Sequence, residues 1–286
     1  MCILFIYVNS GHGGDGDPVF GEYRMILASN RDEYYARPAK IAEPWEESPH
    51  VIGGRDMEPG REGGTWLAIG GDNRTGIIRV GALLNVTGEN KPNVTSGRGP
   101  IVADYVAGTV SNEDYSRHLL ATDTYGAFNF VSVELDRSKA SVLHASNAPT
   151  GINRCDLTAP LGFGNSTMDV PLEKVRHGRK RFGDIVDKHL KVAATGHDRD
   201  ALVEELLGLL KSNDKYFPDK ELSRRAPAQA EKLASINVRF PEAGYGSRTR
   251  TVILVDHQNR MEFIEETMVS TNLDDEWKRT HIERQF

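Results

Sequence analysis

The sequence predicts an α+β fold in which helices pack against β-sheets. Apolar, β-branched runs of strand length occupy both ends of the 286-residue chain, and segments with helical spacing of apolar residues lie mostly between them. Strands and helices do not alternate strictly, which favours layered sheets over a parallel βαβ arrangement. No repeat or long linker divides the chain, so we expect a single domain over residues 1–286.

The first strand pair is predicted at residues 2–8 and 23–30. A turn rich in glycine, aspartate and proline separates the two runs, which indicates an antiparallel hairpin. Both runs are almost continuously apolar, as expected of strands that are covered on both faces. Two further pairs are expected, at 65–70 with 76–85 and at 128–135 with 141–146.

Apolar residues at three- and four-residue spacing predict helices in the middle of the chain. Ser111 is placed as an N-cap with Asp114 three residues later, and Pro171 suits the first turn of the longest helix. Strand-like sequence then returns toward the end of the chain. The predicted helices span 97–108, 111–122, 171–192 and 200–211, and the later strands span 233–240, 249–256 and 262–266.

Composition argues against several classes of function. A formal net charge of −6 disfavours a nucleic-acid partner, because non-specific binding to nucleic acid needs a basic surface. The chain has only two cysteines, and its nine histidines form neither an HExxH nor a CxxCH motif, so we predict no disulfide framework and no metal centre. No run is long and apolar enough to predict a transmembrane segment.

Cys2 is a candidate nucleophile because of its position. Removal of the initiator methionine is permitted by a small second residue, and Cys2 would then carry both a thiol and a free α-amino group. An α-amine with a pKa near 8 can accept the thiol proton, which is the N-terminal-nucleophile arrangement. The alternative is that Cys2 is a small, inert residue at the start of a buried strand.

Four consecutive polar or charged residues, Asn30, Arg31, Asp32 and Glu33, lie at the end of the second predicted strand. At a strand end beside a cleft, a carboxylate can hold an ammonium group or orient a thiol. A solvated corner with neighbouring ion pairs would have the same composition, so both interpretations stay open.

Further polar candidates lie at other strand ends. Asn85 and Asn165 could donate to a developing oxyanion, and Arg248 could bind a carboxylate. Asn and Arg are also common in ordinary turns. His144 lies within an apolar strand, which is more typical of a core histidine than of a metal ligand.

Five sequence blocks together resemble the NRDE family, which is also called the transport and Golgi organisation protein 2 family. The resemblance implies an N-terminal-nucleophile hydrolase fold, with four layers in the order αββα. More distantly, the pattern is similar to hydrolases of the choloylglycine-hydrolase and penicillin-acylase group. The blocks are MCILF, ILASNRDEYYARP, GGRDMEPGREGGTWLAI, GFGNST and GYGSRTRTVILVD.

The resemblance to these hydrolases implies roles for individual residues. Cys2 would be the nucleophile, Asp32 the carboxylate after the second strand, and Arg248 the late arginine. Asn85 and Asn165 would supply oxyanion or amine-binding groups.

One departure concerns the arginine of the second strand. The hydrolases read Arg-Asn-x-Asp there, whereas this chain has Ser29 in the place of the arginine and carries Arg31 nearby. Because adjacent strand residues point to opposite faces, we expect that Arg31 does not simply replace the missing arginine. This departure counts against hydrolysis.

The resemblance to the NRDE family implies intracellular haem trafficking, with links to lipid and acyl-CoA homeostasis and to Golgi organisation. Haem would be a transported ligand, contacted by Cys2, Asn30, Arg31 and Arg248 and exchanged with transient donor and acceptor proteins. The implied location is cytoplasmic, with association to mitochondria, the Golgi or lysosome-related organelles. The alternatives are a Cys2-dependent amidohydrolase or thioesterase acting on a lipid-like or acyl-CoA substrate, and a scaffold for secretory traffic.

Overall fold

Two antiparallel β-sheets stack face to face in the computed structural model, with helices on both outer surfaces. The resulting layer order is αββα, so the predicted α+β class and its four-layer arrangement are confirmed. The glycine-rich turn predicted between the first two strands lies outside the described residues. The structure describes residues 2–9, 23–72, 75–92, 94–136, 139–192 and 199–286.

The first sheet is built around the opening strand pair. β1 (Ile3–Val8) and β2 (Tyr23–Tyr34) pair antiparallel, with Ile3 opposite Asn30, as the hairpin prediction requires. Along its other edge, β2 pairs with the strand at Tyr245–Asp256, so β2 is a central strand. The sheet also contains β10 (Leu161–Phe163), β11 (Arg239–Phe240), β12 (Tyr245–Asp256), β13 (Arg260–Thr267) and β14 (Lys278–Gln285).

The second sheet is a meander in which each strand pairs with the next one along the chain. It confirms the two strand pairs predicted in the first half of the sequence. Its strands are β3 (Ala39–Pro44), β4 (Val51–Asp56), β5 (Leu67–Asp72), β6 (Ile77–Asn85), β7 (Phe128–Leu135), β8 (Ala140–Asn147) and β9 (Thr150–Arg154).

The helices form the two outer layers. One layer packs on the first sheet and the other on the second, each through its own apolar cluster. Asp219 caps the last helix by accepting from the backbone N–H of Leu222, and Ser111 caps the helix that begins at Asn112, as predicted. The first-sheet layer contains α3 (Glu173–Val192), α4 (Arg199–Leu210) and α5 (Lys220–Arg225), and the second-sheet layer contains α1 (Gly99–Ala107) and α2 (Asn112–Leu120).

β1 and β2 are buried on both faces, as their continuous apolar sequence predicts. Ile3 and Phe5 face the helices of the first-sheet layer, whereas Leu4 and Ile6 face the second sheet. In a strand that is buried on both faces, a polar side chain on either face destabilises the fold unless it has a hydrogen-bond or charge partner. The polar residues at the end of β2 therefore need specific partners.

The predicted strand at 233–240 is wrong over most of its length. Only Arg239 and Phe240 are in a strand, while Ile236 and Val238 are buried against the helices. The backbone N–H of Asn237 donates to Ser212 O, and that of Val238 donates to Ser247 Oγ, so these groups are satisfied outside a ladder. The apolar content of this segment predicted its burial correctly, but it did not predict the hydrogen-bonding pattern.

Several elements were not predicted, including β3, β4, β14 and α5. β14 is an edge strand with alternating exposure and mostly charged or polar side chains, so it lacks an apolar signal. Over the described ranges, no helix combines the length and the apolar character needed to cross a membrane.

Candidate functional site

A cleft of about 560 Å³ opens where strands from both sheets end near the start of α1. It brings together five of the residues predicted from sequence, which come from four separate parts of the chain. Asn30 and Arg248 lie elsewhere, as described below. The predicted residues that line the cleft are Cys2, Arg31, Asp32, Asn85 and Asn165.

Cys2 immediately precedes β1 and is partly buried, with its side chain against the apolar layer between the sheets. Burial raises the pKa of the Cys2 thiol, and the nearby Asp32 charge raises it further, while Arg31 acts in the opposite direction. The thiol is therefore mainly protonated at neutral pH, and any reaction or metal ligation through the sulfur requires a proton acceptor.

Asn165 holds the backbone nitrogen of Cys2. Its Oδ1 accepts from that nitrogen at 2.6 Å, and its Nδ2 donates to the backbone oxygen of Asn85 at 2.6 Å. The backbone oxygen of Asn165 accepts from the N–H of Thr87 at 2.9 Å. Asn165 is buried, so its amide connects the start of β1 to the end of β6 in a fixed geometry. Asn85 itself is exposed at the cleft.

Asp32 is buried at the end of β2 among groups that stabilise a negative charge. Ser247 Oγ donates to Asp32 Oδ1 at 2.5 Å, and Nζ of Lys174 lies 4.0 Å from Oδ2. Burial raises the pKa of Asp32, whereas the Lys174 charge and the Ser247 hydrogen bond lower it. The Lys174 side chain is 1% exposed and also donates to Ser235 O at 3.1 Å.

Sequence reasoning missed Lys174. It lies in the first turn of α3, eight residues before the core residue Phe182, so it falls on the buried stripe of that helix. A lysine on an apolar stripe is a signal that a buried anion is nearby. That signal was available in the sequence.

Arg31 points into the layer between the sheets. Its guanidinium lies 4.0 Å from the centre of the Trp66 ring, and the residue is 5% exposed. Within the part of the chain that the structure describes, Nη1 of Arg31 has no hydrogen-bond partner. Burial lowers the pKa of Arg31, while the Glu33 charge opposes the shift. A buried donor without a partner carries a desolvation cost that an anionic group of a ligand would offset.

The argument that placed Ser29 and Arg31 on opposite faces of the strand is wrong, whereas the expectation that Arg31 does not simply replace the missing arginine stays a prediction. Ser29 and Arg31 are two residues apart in β2, so they share one face of the sheet. Ser29 donates to the backbone oxygen of Ile3, and Arg31 reaches the cleft one pleat further along. A guanidinium is therefore present beside Cys2 even though the sequence position of the arginine differs.

Asn30 and Arg248 lie away from the cleft lining. Asn30 Nδ2 donates to the backbone oxygens of Leu210 and Ile236 at 2.9 and 3.0 Å, so it ties β2 to the helical layer. Arg248 sits at an irregularity of β12 and donates to the backbone oxygens of Tyr34 and Arg37. Burial lowers the pKa of Arg248 to about 10. These contacts give both residues structural partners.

One exposed group has side chains arranged as metal ligands. Glu262, His281 and Glu283 have ligand atoms within 4.8 Å of one another. Arg199 already pairs with Glu262 at 3.1 Å, and His281 Nε2 lies 3.0 Å from the same carboxylate. The arrangement is satisfied as a surface ion-pair network.

Comparison with known proteins agrees with the blocks noted in the sequence. The family described as Transport and Golgi organisation 2 matches residues 1–270. The chain is 46% identical to Transport and Golgi organization protein 2 of Drosophila melanogaster over 294 aligned residues, covering 100% of this chain and 99% of the relative. It is 30% identical to the Homo sapiens homologue over 291 aligned residues, covering 98% of each.

Among solved structures, the chain is similar to a Caenorhabditis elegans orthologue of N-acylethanolamine-hydrolyzing acid amidase. The two share 9% sequence identity with a TM-score of 0.46. The superposition covers 88% of this chain and 92% of the other.

Proposed function

The chain belongs to the Transport and Golgi organisation 2 family, and from that premise we propose that the cleft at Cys2 binds haem for transport. Haem is cargo in this proposal, taken from a donor protein and passed to an acceptor in the cytoplasm or at an organelle surface. The observation that carries the proposal is the buried Arg31 guanidinium, which lines the cleft beside a thiol and whose Nη1 has no hydrogen-bond partner among the described residues.

The side chains around Arg31 suit an amphipathic ligand with an acidic edge. A propionate can accept from Arg31 Nη1, and the Trp66 ring on which the guanidinium stacks supplies apolar surface. The sulfur of Cys2 is a candidate ligand for haem iron. The cleft volume of about 560 Å³ falls in the range of small-molecule sites, which is about 300–1,000 Å³.

The raised pKa of the Cys2 thiol favours exchange over permanent retention. Ligation of iron requires the thiolate, so binding releases a proton and its free energy includes the cost of deprotonation. Haem affinity through Cys2 should therefore increase with pH up to the pKa of the thiol. An affinity limited in this way suits a protein that must release its cargo.

A haem titration of the full-length protein, followed by absorbance, tests the proposal. Cys2→Ala should change the haem spectrum, and Arg31→Met should weaken binding about tenfold or more, because a charge-assisted hydrogen bond contributes about 1.5–3 kcal/mol. Arg55→Met is the matched control, since Arg55 stacks on Trp45 at 4.0 Å in the same manner but outside the cleft lining. Absence of saturable binding to the wild-type protein would overturn the proposal.

The contact between the Cys2 nitrogen and Asn165 favours a second candidate, a Cys2-dependent amidohydrolase or thioesterase. Once Met1 is removed, that nitrogen is an α-amine and can take the thiol proton. The sulfur then bonds to the substrate carbonyl carbon, with Asn85 available to donate to the oxyanion. The bond from that carbon to the leaving nitrogen or sulfur breaks, the ammonium protonates the leaving group, and water hydrolyses the acyl-enzyme.

Two measurements separate the candidates. Mass spectrometry of the purified protein reports whether Met1 is removed, which the hydrolase requires. Assays with a long-chain N-acyl amide and an acyl-CoA thioester then measure turnover in wild type, Cys2→Ala and Asp32→Asn. Turnover by wild type that both variants abolish supports the hydrolase. If wild type shows no turnover but binds haem saturably, the carrier is supported.

A further inference from the structure

We propose that Asn129 and His144 are positioning residues for Cys2, acting through Asn165. The inference deepens the proposed function, because it rests on Cys2 serving the cleft. Neither residue lines that cleft. Both lie on neighbouring strands of the second sheet, Asn129 in β7 and His144 in β8, where Val131 is opposite His144.

Asn129 fixes the chain on both sides of Asn165. Its Nδ2 donates to the backbone oxygen of Gly164 at 3.0 Å and to that of Ser166 at 2.8 Å. A single amide group thus binds the two carbonyls that flank Asn165, which restrains the direction of the Asn165 side chain. That side chain in turn binds the Cys2 nitrogen at 2.6 Å.

His144 fixes the orientation of Asn129. Because Nδ2 of Asn129 serves two carbonyls, its Oδ1 must accept, and His144 Nε2 lies 3.0 Å away. His144 Nε2 therefore carries the proton, and Nδ1 is left to accept from Asn153 Nδ2 at 3.4 Å. Burial lowers the pKa of His144 to about 4, so the ring stays neutral at physiological pH. The ring also stacks on Phe163 of β10.

The surroundings make a purely space-filling role a poor explanation. Asn129 and His144 are 2% and 3% exposed, and apolar residues such as Val131, Val133 and Val142 fill the adjacent layer between the sheets. Buried polar groups cost stability unless every donor and acceptor is paired, and apolar residues of similar size would fill this space without that cost. What an apolar pair could not do is bind the carbonyls on both sides of Asn165.

The test is the rate at which iodoacetamide alkylates Cys2, followed by mass spectrometry that also reports the N-terminus. Buried Cys155, with a thiol pKa raised to about 11, is the internal reference. Asn165→Ala and Asn129→Ala should each accelerate alkylation about tenfold, which is the effect of lowering the thiol pKa by about one unit as the sulfur gains access to water. The double variant should match the single variants, because both act on one contact.

Rescue and control variants distinguish positioning from loss of stability. His144→Gln retains an N–H donor toward Asn129 and should alkylate like wild type, whereas His144→Phe should behave like Asn129→Ala. Ser146 lies in β8 with His144, and its hydroxyl donates to Phe128 O. Ser146→Ala removes this buried hydrogen bond, so it should lower Tm without accelerating alkylation. An unchanged rate in Asn129→Ala would overturn the inference, and so would about a hundredfold acceleration in the double variant.

The outcome is independent of the haem titration. Suppose that haem fails to bind, but Asn129→Ala, Asn165→Ala and their double variant all accelerate alkylation to the same extent. The proposed cargo is then wrong and the positioning role stands. If haem binds but Cys2 alkylation is insensitive to Asn129, only the positioning role fails.

Discussion

Replacing Lys174 by methionine should destabilise the protein in a strongly pH-dependent way. Lys174 and Asp32 lie 4.0 Å apart, and both side chains are 1% exposed. At that distance and an effective dielectric constant of about 20, the charges attract by about 4 kcal/mol. Methionine preserves most of the side-chain volume, so the main loss is the positive charge.

The Lys174→Met variant can neutralise the buried charge by protonating Asp32, and the free-energy cost of this protonation depends on pH. Without Lys174, burial favours the neutral form of Asp32 and its pKa rises further above the unfolded value. Holding Asp32 protonated costs about 4 kcal/mol at pH 7 but only about 1.5 kcal/mol at pH 5, if its pKa in the unfolded chain is about 3.9. Stability of the variant relative to wild type should therefore fall as pH rises from 5 to 7.

Urea unfolding of wild type and Lys174→Met at pH 5, 6 and 7 measures the effect. We expect a loss of about 3–4 kcal/mol at pH 7 that shrinks by at most about 1.4 kcal/mol for each unit of acidification, because the pKa of Asp32 is already raised in wild type. Lys211→Met is the control, because Lys211 is 43% exposed in its pair with Glu266 and should contribute less than about 1 kcal/mol. The double variant Asp32→Asn/Lys174→Met should lose the pH dependence. An equal penalty at pH 5 and pH 7 would refute the reasoning.

Two further predictions concern glycine packing and a buried histidine. A Cβ at Gly178 of α3 would clash with the Phe5 ring, so Gly178→Ala should cost about 1–3 kcal/mol. In α4, a Cβ at Gly208 would have no atom of the described residues within 4 Å, so Gly208→Ala should stabilise by up to about 1 kcal/mol. Thermal unfolding compares the two variants. His144 has a folded pKa of about 4, below its unfolded value of about 6.5, so its contribution to stability is present above pH 6.5 and is lost as pH falls toward 4. His144→Gln should reduce the slope of unfolding free energy against pH in that window, and an unchanged slope would contradict the assignment.

The helix and strand predictions succeeded where the signal is local. The spacing of apolar residues in α3 and the continuous apolar runs of β1 and β2 depend on neighbours a few positions away. Strand β14 and the segment ending in β11 could not be predicted as well, because edge pairing and loop hydrogen bonds leave little trace in hydrophobic periodicity.

The candidate site was only partly accessible from sequence. Cys2, Asp32 and Asn165 could be singled out because reactive or polar side chains interrupt apolar strand ends. The sequence argument placed Arg31 and Ser29 on opposite faces of the strand, although strand alternation alone places residues two apart on one face. Lys174 was overlooked despite its place on the buried stripe of α3.

By itself, the sequence determined the layered α+β fold, the family and the presence of a second-position cysteine, because these follow from local patterns and short motifs. Only the tertiary structure decided which partners each polar residue has. Cys2 and Asn165 are 163 positions apart, and the restraint from His144 reaches Asn165 through Asn129. Such contacts depend on how two sheets stack, and the free energy of a buried polar group depends on partners that are distant in sequence.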